Sequence, residues 1–322
     1  MKVALITGIR GQDGSYMAER LLGEGIKVIG VVRDPVEVMR EMPGELSGRI
    51  DITSWDMKDQ KAISDIFERY QPSLVFNFAA ISSGSGMFDD PVGISEVNGL
   101  AVARILESIR NVSPDARFCQ ASSSEMFGAA HESPQSESTS FRPRSPYGAA
   151  KLYAHSMVNI YRQRYGLFAC SAILFNHESP RRGLEFVTRK ISRGAAMIKL
   201  GLAKELQLGN LDARRDWGFA GDYVKAMHLM LVQPGAEDYV LATGKVHSVR
   251  DFCQLAFEHL DLDYLQHVRA DPLDFRAAEP VQLVGDSSKA RHQLQWQAEM
   301  EFSQLVRMMV DADLHSLAGR TS

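Results

Sequence analysis

Short, continuously apolar runs alternate with amphipathic stretches along the first half of the chain. The runs are Val3–Thr7, Lys27–Val32, Leu74–Ala79 and Arg117–Ser122. Between the first two lies Ser15–Glu24, whose apolar residues recur at helical spacing, and Gly25 follows as a helix-terminating glycine. Continuous apolarity is typical of parallel strands that are covered on both faces. The pattern therefore predicts an α/β fold, a Rossmann doubly wound parallel sheet.

A glycine-rich turn separates the first apolar run from the first helical stretch. Gly8, Gly11 and Gly14 are spaced three residues apart and open that helix. A turn this tight needs residues without a Cβ atom, and it presents backbone N–H groups at a helix N-terminus, where a pyrophosphate binds. Because a strand precedes the glycines and a helix follows them, the segment predicts a dinucleotide-binding turn rather than an ordinary loop.

The end of the second apolar run bears on which nicotinamide dinucleotide would bind. An acidic residue there would bind the ribose 2′-OH of NAD, whereas arginine suits the 2′-phosphate of NADP. Arg33 comes first at this point and Asp34 follows it. Arg33 favours NADP, Asp34 keeps NAD possible, and the remaining alternative is that both are solvated loop charges. Asp56 and Met57, after the third expected strand, are candidates for the adenine edge.

After Asn176 the pattern becomes irregular, with clusters of arginine, glycine and aspartate between short helical stretches. Asp222–Val232 and Tyr239–Ala242 have the apolarity of elements that return to the sheet. We therefore predict a dinucleotide-binding Rossmann domain over residues 1–175, with returning elements at about 217–242. Residues 176–322 are predicted to form mainly a smaller C-terminal substrate-binding α/β cap.

The composition is that of an ordinary folded protein, since 45% of its 322 residues are hydrophobic and 24% are charged. A net charge of −4 gives no general attraction to nucleic acid or to an anionic membrane. No apolar stretch approaches the roughly 20 residues of a membrane span, and the chain enters a strand without a signal-peptide core. A cytoplasmic location is expected. Three widely spaced cysteines predict buried free thiols, and no metal site is expected.

Tyr147 and Lys151 lie four residues apart in a predicted helix that runs from Pro146 to about Arg164. Residues i and i+4 share one helix face, so the ammonium can lie beside the phenol. A free tyrosine has a pKa of about 10, and both a neighbouring ammonium and a positive nicotinamide ring favour the phenolate. Tyr147 could then take a hydroxyl proton during hydride transfer.

The strand before this helix ends in three serines, Ser122 to Ser124, followed by Glu125. Side chains at the carboxyl end of a strand in an open α/β sheet face the ligand crevice. A carboxylate beside a tyrosine–lysine pair can act as a second base. One base for an O–H proton and another for a C–H proton indicate oxidation followed by elimination.

These residues stand in longer segments that resemble one family. The chain is similar to extended short-chain dehydrogenase/reductases and, among them, to GDP-mannose 4,6-dehydratases. The similar segments are ITGIRGQDGSYMAERLL, QASSSEMFG, RPRSPYGAAKLYA, ILFNHESPRRG with FVTRKI, LGNLDARRDWGFAGDYVKAM and DYVLATGKVHSVRDF. The similarity covers nearly the whole chain and is densest from Phe118 to Phe252. Strings such as NHESPRR are far more selective than a glycine turn.

The resemblance implies a redox-neutral elimination from GDP-mannose with tightly held NADP, with NAD as the alternative. Hydride leaves C4 of the hexose while Tyr147 accepts the O4 proton, with Lys151 beside it. Ser123 stands where the family has a catalytic threonine and keeps the hydroxyl that binds O4. Glu125 then removes the C5 proton as water leaves C6, and the hydride returns to C6. The resemblance also implies a homodimer or homotetramer.

Two sets of binding residues follow from the resemblance. The cofactor-binding set is Gly8, Gly11, Gln12, Asp13, Gly14, Arg33, Asp56, Met57, Ala79, Ala80, Ser82, Tyr147, Lys151, His177 and Arg182. The substrate-binding set is Ser82, Ser123, Glu125, Asn176, Lys190, Gly209, Arg215, Arg276 and Glu279. Arg215 and Arg276 are expected on the GDP diphosphate, because a guanidinium binds phosphate oxygens in a bidentate way. The alternative for Arg215 is a salt bridge to Asp212 or Asp216.

Three segments depart from the family pattern. Arg33 stands alone where the family has an arginine pair and a serine. The Ile81–Phe88 loop beside the sugar is altered, and Gly93 occupies an aromatic position. Phe275–Pro280 has alanine in place of a proline. The altered loop leaves open the 4,6-dehydration of another GDP-sugar, such as a manno-heptose.

Two further alternatives belong to other functional classes. A GDP-4-keto-sugar reductase or epimerase is disfavoured by Glu125, because reduction of a ketone requires no C5 base. A non-catalytic nucleotide-binding protein is disfavoured by the joint presence of Ser123, Glu125, Tyr147 and Lys151, although a fold by itself does not give a function.

Overall fold

The computed structural model describes residues 2–33, 46–82, 88–270 and 282–321. Strands and helices alternate through its first half, as the apolar pattern predicts. These elements are β1 (Val3–Thr7), α1 (Gln12–Gly23), β2 (Lys27–Val32), β3 (Asp51–Ser54), α2 (Gln60–Tyr70), β4 (Leu74–Asn77), α3 (Pro91–Ser95), α4 (Ala101–Val112), β5 (Arg117–Ser123) and α5 (Pro146–Tyr165). A π-helical turn, Glu96–Leu100, joins α3 to α4, and a 3-10 turn, Ser124–Met126, follows β5.

The second half contains shorter strands between its helices. Its elements are β6 (Ala169–Leu174), β7 (Asn176–Glu178), α6 (Val187–Lys199), β8 (Leu206–Leu208), β9 (Arg214–Arg215), β10 (Trp217–Phe219), α7 (Ala220–Val232), β11 (Tyr239–Leu241), β12 (His247–Ser248), α8 (Val249–Glu258), α9 (Tyr264–His267), β13 (Val268–Ala270), α10 (Ser288–Leu294) and α11 (Phe302–Thr321).

Seven strands of the described residues form one parallel sheet in the order β11-β6-β5-β4-β1-β2-β3. The strand order reverses between β1 and β4, which lie side by side. In an open α/β sheet the ligand crevice forms outside the carboxyl ends of the strands at such a point. The doubly wound sheet predicted from the sequence is confirmed.

Both faces of this sheet are covered, which explains why its strands are apolar throughout. Helices α1, α7 and α10 pack on one face, and α2, α4 and α5 pack on the other. The burial of apolar side chains on the two faces is the main favourable contribution to the stability of such a layer. Tyr239–Leu241 pairs with β6, so this segment returns to the sheet as expected.

Some bounds differ from the predicted ones for identifiable reasons. Helix α1 begins at Gln12 instead of Ser15, because Gly11 is extended and serves as its N-cap. Strand β4 ends at Asn77 instead of Ala79, because the backbone N–H of Ala79 donates to the Thr7 side chain and not to a neighbouring strand.

The rest of the second half packs around its own apolar cluster. Helices α6, α8 and α11 enclose this cluster, with Trp217 and Phe252 buried between them. The described part of this region has three two-stranded sheets, β7 with β10, β9 with β12 and β8 with β13. The assignment of residues 1–175 and 176–322 as separate domains stays a prediction.

All three cysteines are buried and free, as predicted. Cys119 and Cys170 lie opposite each other on β5 and β6. Among the helices that the structure describes, none has an apolar stretch long enough to cross a membrane.

One mostly buried ion pair lies at the β11 edge of the sheet. Arg162 on α5 binds Asp238 through two contacts, Nη1–Oδ1 at 3.0 Å and Nη2–Oδ2 at 2.8 Å. Arg162 also donates to the carbonyl of Ala169, and Asp238 accepts from the backbone N–H of Ser171. The pair therefore joins α5 to the start of β11 through β6.

We expect Asp238→Asn to destabilise the protein by roughly 3 kcal/mol, because it leaves a mostly buried guanidinium without its carboxylate. Burial raises the pKa of Asp238, but its hydrogen bond and ion pair with Arg162 outweigh burial and lower it. The pair's contribution is therefore complete above the unfolded pKa of about 4 and is lost as pH falls through the lower folded pKa. Urea unfolding at several pH values measures both effects.

Glu299→Gln is the control for this prediction, because the Glu299–Lys225 pair is exposed. Its loss is expected to change the free energy of unfolding by less than about 1 kcal/mol. Equal urea midpoints for Asp238→Asn and the unmodified chain would show that the pair does not hold the edge strand.

Candidate active site

At the floor of the crevice, the glycine turn packs directly against the backbone of the loop after β4 and against the first turn of α1. Gly8 has a φ of +65°, and a Cβ atom on it would lie 2.9 Å from the backbone nitrogen of Ala79. A Cβ on Gly14 would lie 2.3 Å from the carbonyl oxygen of Gly8. Larger residues at these two positions would push the first turn of α1 away from the sheet. The predicted need for glycine in this turn is confirmed at both.

The N-terminus of α1 is open to an anion. Its N-cap, Gly11, has no side chain, and Gln12 and Asp13 begin the first turn. Backbone N–H groups in the first turn of a helix have no partner within the helix and carry the positive end of its dipole. A pyrophosphate fits this turn, because the glycines leave it room and the N–H groups provide its donors.

The residues proposed for the adenosine end lie along the neighbouring strands. Arg33 is exposed at the carboxyl end of β2, and Asp56 is exposed just after β3. The Asp56 carboxylate accepts from the backbone N–H of Lys58, and Met57 packs against the apolar layer below. Asp34, the competing residue in the choice between NAD and NADP, lies outside the described residues.

The loop after β4 forms the next wall of the crevice. Ala79 lies against Gly8, and Ala80 follows it. The backbone N–H and C=O of Ile81 both bind the Asn98 side chain, at 2.8 and 3.0 Å. Ser82 is exposed at the end of the described part of this loop. Residues 83–87, which carry most of the departure from the family pattern, lie outside the described residues.

Ser123, Glu125 and Tyr147 come together where β5 meets α5. The Ser123 hydroxyl accepts from the Glu125 backbone N–H at 3.2 Å and hydrogen-bonds to the Tyr147 phenol. The Glu125 carboxylate is close enough for its charge to act on that phenol. A Cβ on Gly148 would lie 2.6 Å from the Glu125 carbonyl oxygen, so the helix could not approach so closely with any other residue there.

Lys151 is buried under this group and points to the strand. Its ammonium donates to the Ala121 carbonyl at 2.8 Å and lies 5.7 Å from the centroid of the Tyr147 ring. Burial lowers the pKa of Lys151 to about 8, against the opposing charge of Asp13. The ammonium is therefore still the main form at neutral pH.

Among the groups of the chain itself, burial has the largest effect on the pKa of Tyr147. Burial raises the pKa of Tyr147 to about 12, and the charge of Glu125 adds to that rise. The hydrogen bond from Ser123 and the charge of Arg182 act in the opposite direction but are weaker. The main cause is desolvation, which disfavours the charged phenolate.

Asp13 and His177 form an ion pair in the middle of the crevice. His177 Nε2 lies 3.0 Å from both carboxylate oxygens of Asp13, and its Nδ1 lies 2.8 Å from the Phe175 carbonyl. Both ring nitrogens face acceptors, so the imidazolium satisfies both contacts. Burial lowers the pKa of His177, but Asp13 outweighs burial and raises it.

The Asp13 carboxyl is likewise held ionised. Burial raises its pKa, but the charge and hydrogen bond of His177 and the charge of Arg182 outweigh burial and lower it. Gln12 joins the group by donating to the His177 carbonyl at 3.0 Å. The glycine turn, β7 and the segment after β7 are therefore tied together by charge at the cofactor side of the crevice.

The residues proposed for the substrate lie on short strands of the second half. Asn176 begins β7 and lies opposite Trp217 of β10. Arg215 is two residues before Trp217, at the end of β9. Lys190 is exposed on α6, and Gly209 follows β8. Arg276 and Glu279 lie outside the described residues.

The two carboxylates considered as salt-bridge partners of Arg215 bind other groups. Asp212 holds the Arg250 guanidinium at 2.9 and 3.1 Å. Asp216 accepts from Thr243 and from the backbone N–H of Gly244. Arg215 itself donates to the Arg214 carbonyl at 2.7 Å.

A buried chain of polar side chains beneath the crevice was not expected from the sequence. The Thr7 hydroxyl donates to Asn77, the Asn77 amide donates to Gln120, and the Gln120 amide donates to the Ala121 carbonyl. That carbonyl also binds Lys151. The chain therefore links β1, β4 and β5 to the lysine. The sequence did contain a signal for this chain of hydrogen bonds, because each of these apolar strands has a polar residue near its carboxyl end.

Comparisons with known proteins show the family to which the sequence is similar. The model of the family described as GDP-mannose 4,6 dehydratase matches residues 5–309. GDP-mannose 4,6 dehydratase 2 of Arabidopsis thaliana is 45% identical, over 97% of this chain and 87% of that protein. GDP-mannose 4,6 dehydratase of Cricetulus griseus is 44% identical, over 97% of this chain and 91% of that protein.

Solved structures support the fold at lower identity. dTDP-glucose 4,6-dehydratase from Bacillus anthracis, in complex with NAD, has a TM-score of 0.84 at 17% identity and covers 97% of this chain and 96% of its own. RMD from Pseudomonas aeruginosa, complexed with NADPH, has a TM-score of 0.82 at 21% identity and covers 98% of this chain and 100% of its own. Since the sequence match extends over nearly the whole chain, this protein belongs to the GDP-mannose 4,6 dehydratase family.

Proposed function

We propose that this protein is a hydro-lyase that converts GDP-mannose to GDP-4-keto-6-deoxymannose. The observation that carries the proposal is the group of Ser123, Glu125 and Tyr147, in which a hydroxyl and a carboxylate both act on one half-buried phenol. A dehydrogenase needs the phenol, whereas an elimination needs the carboxylate as well. Membership of the family extends the proposal to the substrate.

We propose a nicotinamide dinucleotide as the cofactor, with NADP favoured over NAD. The turn from Gly8 to Gly14 would hold its pyrophosphate, and Arg33 would meet a 2′-phosphate. Asp13, His177 and Arg182 would line the nicotinamide side of the crevice. One solved neighbour binds NAD and another NADPH, so the general cofactor class is supported more strongly than the choice. When bound, the nicotinamide supplies a hydride acceptor for C4 and a hydride donor for C6.

Tyr147 is the proposed base for the O4 proton and Ser123 the proposed donor to O4. Because burial holds the pKa of Tyr147 at about 12, its phenolate requires positive charge around it. Arg182 already acts in this direction, and Lys151 keeps an ammonium beneath the site. These groups would stabilise the phenolate during oxidation at C4.

Glu125 is the proposed base for the C5 proton. Oxidation at C4 places a carbonyl next to C5, which makes that C–H acidic enough for a carboxylate to remove. Glu125 lies between the end of β5 and the N-terminus of α5, so it reaches the crevice from the same side as Tyr147. The same carboxyl can then give its proton to the hydroxyl that leaves C6 as water.

Arg215, Lys190, Asn176 and Gly209 are the proposed contacts of the GDP moiety, together with Arg276 and Glu279 from the segment outside the described residues. A cluster of cations suits a diphosphate in a chain whose net charge is −4. A homodimer or homotetramer and a cytoplasmic location remain predictions from the sequence.

The first test is to incubate the purified protein with GDP-mannose without added reductant and to follow the nucleotide sugars by mass spectrometry. We expect the loss of one water, because the hydride taken from C4 is returned to C6. A spectrum of the nucleotide released on denaturation would identify NADP or NAD. A GDP-manno-heptose tested in parallel separates the two sugars, and no turnover of either would overturn the proposal.

Replacing Tyr147 with phenylalanine removes the proposed base and keeps the ring. We expect turnover of GDP-mannose to fall at least about 10²-fold, the usual contribution of a general base, with little change in GDP-mannose affinity. Tyr153→Phe, on an exposed part of the same helix, is the matched control. An equal loss of GDP-mannose binding in calorimetry would show that Tyr147 has a structural role instead.

Glu125→Gln separates elimination from oxidation. The amide keeps the shape of the carboxylate but accepts no proton, so we expect product formation to fall about 10²–10⁴-fold while C4 oxidation continues. Reduced nicotinamide would then accumulate, visible in its near-ultraviolet absorbance, and deuterium from D₂O would no longer enter C5. The control is Glu132→Gln on the nearby exposed loop. Full activity of Glu125→Gln would contradict the dehydratase mechanism.

A further inference from the structure

Two adjacent arginines after β7 have different surroundings. Arg181 is bound to α1, where it donates to Ser15 at 3.1 Å and to Glu19 at 2.5 Å and lies over the Tyr16 ring. Arg182 instead contacts Glu178 and Phe186. It lies close enough for its charge to act on Asp13, His177 and Tyr147. The direction of the backbone at this turn therefore decides whether the second guanidinium reaches the site.

The Arg182 side chain has two contacts of its own, a stacking contact and an ion pair. Its guanidinium carbon lies 3.6 Å from the centroid of the Phe186 ring. Its Nε is 3.3 Å from Glu178 Oε2 but makes no hydrogen bond there. Both partners, Glu178 and Phe186, flank the turn that carries Arg182. The direction of the guanidinium therefore depends on the backbone path between them.

The backbone of this turn is held by Arg189 of α6. Arg189 Nη1 donates to the Arg182 carbonyl at 2.7 Å and also to the Pro180 carbonyl. The Arg182 backbone N–H donates to the Ser179 carbonyl at 3.1 Å. One guanidinium nitrogen therefore binds two carbonyls, one on each side of residue 181.

Arg189 is in turn oriented from the C-terminal helix. Asp313 of α11 binds it through two contacts, Nη2–Oδ1 at 2.6 Å and Nε–Oδ2 at 3.2 Å. The Ser192 hydroxyl adds a third hydrogen bond to this carboxylate, at 2.6 Å. Arg189 is 8% exposed and Asp313 is 3% exposed, so no water competes for the pair. A planar guanidinium held along one edge by a carboxylate has its remaining nitrogen fixed in direction.

We propose that Asp313 is a positioning residue for the cofactor site, acting through Arg189 on the turn that carries Arg182. The order of contacts runs from α11 to α6, from α6 to the Pro180–Arg182 carbonyls, and from there to the crevice. Replacing Asp313 frees Arg189 to rotate, and the Arg182 guanidinium then loses its fixed direction. The inference rests on the proposed function only in taking Arg182 as a contact of the dinucleotide.

A matched control exists in the same chain. The Arg162–Asp238 pair is also mostly buried and doubly hydrogen-bonded, and its arginine also donates to a backbone carbonyl. That pair joins α5 to β6 and the start of β11, and it does not touch the turn at Arg182. Asp238→Asn and Asp313→Asn therefore remove similar interactions from two different places.

The experiment titrates NADP into cofactor-depleted full-length protein by calorimetry and measures melting temperatures. We expect both asparagine variants to melt at lower temperature, but only Asp313→Asn to bind NADP about tenfold more weakly, which corresponds to about 1.4 kcal/mol. In an Arg182→Ala background, Asp313→Asn should cause no further loss of affinity, because the residue through which it acts is absent.

Two results would overturn the inference. One is an Asp313→Asn protein that melts lower but binds NADP as the unmodified chain does. The other is an additive loss of affinity in the double variant with Arg182→Ala. Ser192→Ala, which removes one hydrogen bond from Asp313 and keeps the ion pair, serves if Asp313→Asn does not fold, and a smaller loss of NADP affinity is expected.

Hydrogen exchange separates this inference from the proposed function. The backbone N–H of Arg182 should exchange faster in Asp313→Asn than in Asp238→Asn, whether or not the protein binds NADP. Unchanged exchange would refute the positioning role. Faster exchange in a chain that binds no NADP would leave the linkage from α11 intact and refute the cofactor assignment alone.

Discussion

The active site depends on two places where backbone packs on backbone with no room for a Cβ atom. At Gly14 the first turn of α1 lies against the Gly8 carbonyl, and at Gly148 the first turn of α5 lies against the Glu125 carbonyl. The first contact sets the distance from the α1 N-terminus to the sheet. The second brings Tyr147 to Ser123 and Glu125. Each contact needs glycine because any side chain would separate the helix from the strand end that it must meet.

Burial is the dominant electrostatic effect in the crevice. It raises the pKa of Tyr147 to about 12 and lowers that of Lys151 to about 8. Burial also disfavours the charged forms of Asp13 and His177, but each partner supplies the opposite charge at 3.0 Å and outweighs burial. The site therefore combines an ion pair whose partners favour each other's charged forms with a phenol whose neutral form is favoured by burial.

The segment from β7 to α6 joins the sheet to the predicted cap. It follows β6 directly and carries His177 and Arg182, which are proposed for the cofactor, and Asn176 and Lys190, which are proposed for the substrate. Its path is fixed at several points, by Gln12 at His177, by Arg181 on α1 and by Arg189 near α11. A change in the cap can therefore reach the cofactor side without any contact with a ligand.

The sequence by itself determined the parallel sheet, the glycine turn and the helix that bears Tyr147 and Lys151. These features have local causes, namely continuous apolar runs, residues without Cβ and a four-residue spacing. Parallel strands also place their carboxyl ends at one edge of the sheet. Only the tertiary structure decided the ion pair of Asp13 with His177, 164 residues apart, and that of Arg189 with Asp313, 124 residues apart. It also decided the pKa of Tyr147, because desolvation depends on which groups enclose a side chain, and that is a property of packing rather than of neighbours along the chain.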